Sequence, residues 1–302
     1  MGDEDQGRRA GGVSPPVTLV PTLCVGTPAG THCVPSGDGA ECPDVHSHAE
    51  RGNEELVTLH SPLSTLHSIT PLILAGGLGT RLRSVVGDQP KVLASVKGRP
   101  FLTYVLDQLA AYSFRQVVLL TGYQAEKVKK SLGDSYKNLA LIYSAEATPL
   151  GTAGAIYQAL SYITSPTALL LNGDSYCSLD LNAFIEFHHR YRADVSMALA
   201  QVNDAGRFGR VQCDSAGKIT AFCEKQSPGE PGWINAGIYL LERALLETIP
   251  PQRPLSLERD LMSQWIKTKE VYGFHCQGPF LDIGTPESYA SAAGFCAAIS
   301  RE

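Results

Sequence analysis

Pro71-Leu72-Ile73-Leu74-Ala75-Gly76-Gly77-Leu78-Gly79-Thr80-Arg81-Leu82, continued by Pro90-Lys91, is the stretch from which the fold is read. The apolar run Pro71-Leu72-Ile73-Leu74 predicts a first buried strand. Glycines at 76, 77 and 79 let the backbone turn sharply and approach another molecule closely. Arg81 and Lys91 place cations beside that bare backbone. Exposed amides with two cations favour a polyphosphate receptor over an ordinary tight turn. The spacing matches neither G-x-x-x-x-G-K-[ST] nor G-x-G-x-x-G, so neither a P-loop nor a dinucleotide fingerprint fits.

Strands and helices alternate outward from this loop. Gln116–Leu120, Leu139–Tyr143 and Ala168–Leu171 read as near-continuous apolar strands. Between them, Phe101, Val105 and Leu109 recur at helical spacing, a charged helix covers Glu126–Leu132, and another begins near Thr152. This rhythm predicts a mostly parallel sheet covered on both faces, with ligands outside the carboxyl ends of its strands. The glycine loop, the loop Glu146–Gly151 and Asp174 all fall at such ends. The second half is less regular: a helix over Leu181–Tyr191, strands at Val195–Val202 and Ile234–Leu241, and a hairpin turning at Asp214-Ser215-Ala216-Gly217. Helices near Leu257–Ile266 and Tyr289–Ile299 follow. His188-His189 reads as surface or packing and Cys177 as packing, while Arg83 and Lys97 read as solvated charges.

Residues 1–68 differ in texture, holding none of the 2 Trp, 12 Tyr and 9 Phe. Such a segment buries too little surface to offset its ordering entropy and is expected to be a disordered low-complexity tail. Cys24, Cys33, Cys42, His46 and His48 lack a C-x₂-C pair, so a zinc cluster is not expected. Residues 69–302 are expected to form one domain, with a β-rich extension as the far wall of a cleft.

The chain has 302 residues, a formal charge of −5 and 43% hydrophobic residues. The acidic balance argues against a nucleic-acid partner, which needs a broad basic surface. No run approaches the roughly 18 apolar residues of a membrane span, and the start lacks the basic region of a secretory signal. Scattered cysteines point to reduced thiols in a cytoplasm.

Gly76-Gly77-Leu78-Gly79-Thr80-Arg81, Pro90-Lys91, Leu150-Gly151-Thr152, Asn172-Gly173-Asp174, Glu224-Lys225, Asn235-Ala236-Gly237 and Asp282-Ile283-Gly284-Thr285 together resemble the sugar-1-phosphate nucleotidyltransferase family. They occur in family order across residues 69–302. Within that family the chain is most similar to the D-glycero-D-manno-heptose 1-phosphate and mannose-1-phosphate guanylyltransferases. The tail departs from the family pattern.

The resemblance implies a Rossmann-like, three-layer α/β/α fold of GT-A type, with a mostly parallel sheet and a β-rich sugar-binding extension. It implies the joining of a nucleoside triphosphate, here GTP, to a sugar 1-phosphate with release of pyrophosphate. A uridylyl- or thymidylyltransferase and an inactive nucleotide-sugar-binding regulatory subunit are the alternatives. Leu74, Ala75, Gly76, Gly77, Gly79, Thr80, Arg81, Glu146, Gly151 and Thr152 would bind the nucleotide. Arg81, Lys91, Asp174 and Lys225 would be catalytic. Gly173, Glu224, Lys225 and Asn235 would bind the sugar phosphate, and Asp174 and Asp282 would ligate Mg2+. A carboxylate at Glu146 matches the adjacent N1–H and N2 donors of guanine. A homo-oligomer is left open.

Overall fold

A computed structural model describes residues 68–206, 208, 210–223, 229–251 and 254–299. The expected tail, apart from Ser68, lies outside the described residues, as do Glu224 and Lys225.

The strands form where apolar runs are longest. β1 (Ile69–Leu74), β4 (Gln116–Thr121), β6 (Leu139–Ala145) and β7 (Thr167–Asn172) lie side by side in the order β7-β1-β4-β6. All three pairings are parallel, with Leu72 opposite both Val118 and Leu170. Because side chains alternate across a strand, β1 feeds two cores. Ile73 joins Leu119 and Leu171 on one face, and Leu72 joins Val118 and Leu170 on the other. The first face is covered by the helices Leu102–Ala110 and Leu181–Tyr191, through Val105, Leu109, Phe184 and Ile185. The second is covered by the helix Gly151–Gln158, through Ala153 and Ile156, and by Leu257, Leu261 and Trp265. The result is the expected three-layer α/β/α arrangement with a mostly parallel sheet centre.

β12 (Gly232–Glu242) runs antiparallel beside β7, with Ile238 opposite Leu171. It also pairs with β9 (Val195–Val202), which carries β13 (Val271–Cys276) on its far side. Between Asn235 and Tyr239 the register slips, at a bulge where Gly237 has φ +76°. Beyond it the first residues of β12 meet β10 (Arg210–Cys213), paired with β11 (Ile219–Cys223) around the expected turn. Short pairs complete the set: β2 (Ser95–Val96) with β3 (Arg99–Pro100), β5 (Ser135–Tyr136) with β6, and β8 (Ser175–Cys177) with β14 (Phe280–Asp282).

One local reading is corrected, the start of the last helix, and two are sharpened. The helix expected over Leu257–Ile266 is a wide π-turn at Leu257–Met262 running into an α-helix at Ser263–Thr268. The last helix begins at Pro286, earlier than Tyr289. His188 and His189 part ways: His189 is exposed, whereas His188 is buried between Ser196 Oγ at 2.8 Å and Glu242 Oε1 at 3.0 Å. No helix among the described residues is long and apolar enough to cross a membrane.

Candidate active site

The carboxyl ends of β1, β4, β6 and β7 point to one edge of the sheet, and the loops leaving them build two adjoining hollows. The larger is an open cleft of about 410 Å³ lined by Leu74, Gly77, Gly79, Thr80, Arg81, Lys91, Val92, Asp174, Phe208, Asp282, Gly284 and Thr285. The smaller, of about 210 Å³, is lined by Gly76, Leu78, Gly122, Tyr123, Glu146, Ala147, Thr148 and Pro149.

In the larger cleft three charged side chains converge. Lys91 Nζ lies 2.6 Å from Asp174 Oδ2 and 3.7 Å from Asp282 Oδ2. The two aspartates, far apart in the chain, are brought together by the pairing of β8 with β14. Asp282 sits opposite Ser175, and Ile283 N donates to Asp174 O at 3.0 Å. Lys91 stands on a single 3₁₀ turn, Lys91–Leu93, directly behind Pro90. Gly79 is needed there twice over. Its φ is +58°, and a Cβ would stand 2.9 Å from the Lys91 Cβ. Arg81, Thr80 and Gly77 are exposed on the rim.

The donor set suits a divalent cation. Two carboxylates already gather around one positive group, and magnesium takes one or two carboxylates, completing its shell with water and substrate phosphate. Asp174 and Asp282 are the residues that would hold it.

In the smaller hollow, Glu146 is set by its own backbone, whose N–H donates to Thr121 O at 2.8 Å. Its Oε2 accepts the Leu150 amide at 3.0 Å. Burial raises its pKa above the ordinary glutamate value, and the Leu150 amide only partly offsets this.

Other expected site residues are placed differently. Ala75 is buried, its N–H bonded to Leu120 O at 2.8 Å, so it closes the sheet. Gly173 is buried where a Cβ would stand 2.7 Å from Leu74 O, which makes close packing of β7 on β1 the demand for glycine. The Thr152 hydroxyl accepts from Leu257 N at 2.6 Å and donates to Glu258 Oε2 at 3.1 Å. Asn235 sits at the β12 bulge, its Oδ1 accepting from Gly237 N at 2.9 Å.

Several lining residues carry no assigned role from the sequence. Gly122 and Tyr123 follow β4 at the same sheet edge as the glycine loop, which was a usable signal. Phe208 was not findable: it reaches the cleft from the irregular segment before β10, stacked edge-on against Phe280 at 5.7 Å.

The nucleotidyl transferase family model matches residues 70–298. The chain belongs to the nucleotidyl transferase family. A relative from Aneurinibacillus thermoaerophilus, a D-glycero-alpha-D-manno-heptose 1-phosphate guanylyltransferase, is 37% identical over 221 residues, covering 73% of this chain and 95% of its own. A mannose-1-phosphate guanylyltransferase of Mycobacterium tuberculosis is 35% identical over 226 residues, covering 74% of this chain and 63% of its own. Among solved structures, HddC from Yersinia pseudotuberculosis complexed with GMP-PN superposes with a TM-score of 0.68 at 34% identity, over 75% of this chain and 99% of that one. The β7–β1–β4–β6 sheet and its edge loops are thus the nucleotidyl transferase scaffold.

Proposed function

We propose that the protein joins GTP to a sugar 1-phosphate of the heptose or mannose class, giving a GDP-sugar and pyrophosphate. The observation that carries this reading is the meeting of Lys91, Asp174 and Asp282 opposite the loop Gly77–Arg81 in one open cleft. The sugar phosphate has a second pKa of about 6, so its oxygen is already a nucleophile near neutral pH and needs no general base. It attacks the α-phosphorus in line; the new P–O bond forms as the bond to the β-phosphate oxygen breaks, and the electron pair leaves with pyrophosphate. What the site must supply is positive charge and alignment. Lys91 turns from Asp174 to the phosphate oxygens, and Arg81 holds the β- and γ-phosphates and the leaving group. Glu224 and Lys225 complete the sugar side in this reading. Asp174 and Asp282 would hold a magnesium ion, which would supply further positive charge to the reacting phosphates.

The base sits in the smaller hollow. With Oε2 on the Leu150 amide, Glu146 keeps acceptor capacity for the paired N1–H and N2–H donors of guanine, whereas uracil and thymine offer a single N3–H. Because its folded pKa is raised, Glu146 takes up a proton at a higher pH than an ordinary glutamate. Protonation removes the acceptor, so the KM for GTP is expected to rise as pH falls, starting above the usual carboxylate range. Glu146→Gln should flatten this limb of the profile while raising KM at neutral pH about tenfold. A profile identical to that of the wild type sets Glu146 aside as base reader.

Activity itself is tested with GTP, UTP, dTTP, CTP and ATP, each against heptose, mannose and glucose 1-phosphates, by pyrophosphate release. GTP is expected to exceed the other nucleotides by about 100-fold in kcat/KM with the preferred sugar. Absence of turnover with every pair rejects the enzyme reading in favour of a nucleotide-sugar sensor.

A further inference from the structure

Outside the lining of either hollow, side chains from three segments far apart in sequence form one hydrogen-bonded chain. Asn235 Nδ2 donates to Tyr239 Oη at 2.5 Å, and Tyr239 Oη donates to Glu258 Oε1 at 3.3 Å. The other Glu258 oxygen accepts from Thr152 Oγ1 and from Ser256 Oγ, each at 3.1 Å. The Thr152 oxygen in turn accepts the Leu257 amide.

The direction of every bond is fixed. Asn235 Oδ1 is held by the Gly237 N–H, so Nδ2 is the end that faces the tyrosine. Having accepted from Nδ2, the tyrosine has one proton to give, and Glu258 receives it. Tyr239 is fully buried, and burial together with the neighbouring Glu258 charge keeps it a phenol. Glu258 is thus the common acceptor for protons arriving from both sides, a role a neutral amide cannot fill, since it has one oxygen and one NH2. It stands on the π-turn Leu257–Met262, a widened geometry often found at functional sites.

We propose that Glu258 is a positioning residue coupling Asn235, expected on the sugar side, to Thr152, expected on the nucleotide side: through Tyr239 it sets the orientation of Asn235, and directly it sets Thr152 at the start of the helix after the Leu150-Gly151 loop. Its kinetic side rests on the nucleotidyltransferase reading above. Its structural side does not: the amide of Asn235 takes its order from Glu258 whether or not any substrate pair turns over.

The test has two arms. In protein labelled with 15N at asparagine, the Asn235 side-chain protons are expected to exchange at least about tenfold faster in Glu258→Gln and in Tyr239→Phe than in wild type. Unchanged exchange in both variants overturns the proposal, and this arm needs no activity. In the kinetic arm, Glu258→Gln should raise the KM for sugar 1-phosphate about tenfold with kcat altered less than about threefold. Added to Tyr239→Phe, the same change should leave that KM within about twofold, because the relay is already cut, while still raising the KM for GTP through Thr152. Additive effects on the sugar KM overturn the coupling. A wild type without turnover rejects the functional reading and leaves the exchange arm to decide this one.

Discussion

Asp174→Asn is expected to lower kcat by about 1,000-fold or more while the fold stays intact. Asparagine keeps the shape and one oxygen but removes the charge, and in the proposed reaction that charge would hold the divalent cation beside the phosphates. The fold should tolerate the change. Asp174 is about a third exposed (34%), and Lys91 retains Asp282 at 3.7 Å. A pair of that exposure contributes under about 1 kcal/mol to stability, so Tm should move by no more than about 4 °C. Steady-state pyrophosphate release across a magnesium titration, with circular dichroism melts of both proteins, gives the answer. A variant within tenfold of wild type would remove Asp174 from the reacting centre and leave Asp282 and Lys91 to account for the charge.

Gly151→Ala is expected to cost about 3 kcal/mol of folding stability. The residue has φ +72°, and a Cβ would stand 2.4 Å from Leu255 O and 2.8 Å from its carbonyl carbon. Both neighbours are backbone and cannot rotate away. Left-handed backbone costs an L-residue about 1–2 kcal/mol, and forced overpacking typically about 1–3 more. For a domain of this size that is roughly 6–12 °C in Tm. The loop also carries Thr152 and the Leu150 amide that holds Glu146, so the KM for GTP should rise as well. Gly77→Ala is the contrast: beyond its chain neighbours no protein atom lies within 4 Å of the added Cβ, so Tm should stay close to wild type while nucleotide binding weakens. Equal melting of the two variants would mean that the Gly151 loop yields more easily than its packing against Leu255 implies.

Much of this molecule is legible before folding is considered. β1, β4, β6 and β7 are near-continuous apolar runs, the pattern of strands buried on both faces, and their ends carry the glycine loop, Glu146 and Asp174. The loop's three glycines, with Arg81 and Lys91, already point to a phosphate receptor. Other features leave no local trace. The demand for glycine at 173 comes from Leu74 O on another strand, and that at 79 partly from the Lys91 side chain. The burial of His188 depends on Ser196 and Glu242, one on β9 and the other at the end of β12. Phe208 enters the cleft from an irregular segment with no periodicity to betray it.

The division follows from the range of the forces involved. The long apolar strands, most of the helices, the hairpin turn and the availability of charged groups depend on spacing over a few residues, and the sequence by itself determined them. The convergence of Lys91 with Asp174 and Asp282 depends on the pairing of β8 with β14, two strands of three residues each with too little apolar surface to predict. The orientation of Thr152 and Asn235 depends on a glutamate set on a π-turn far along the chain. Only the tertiary structure decided these, because a hydrogen bond or ion pair acts over about 3 Å of space whatever the separation in sequence.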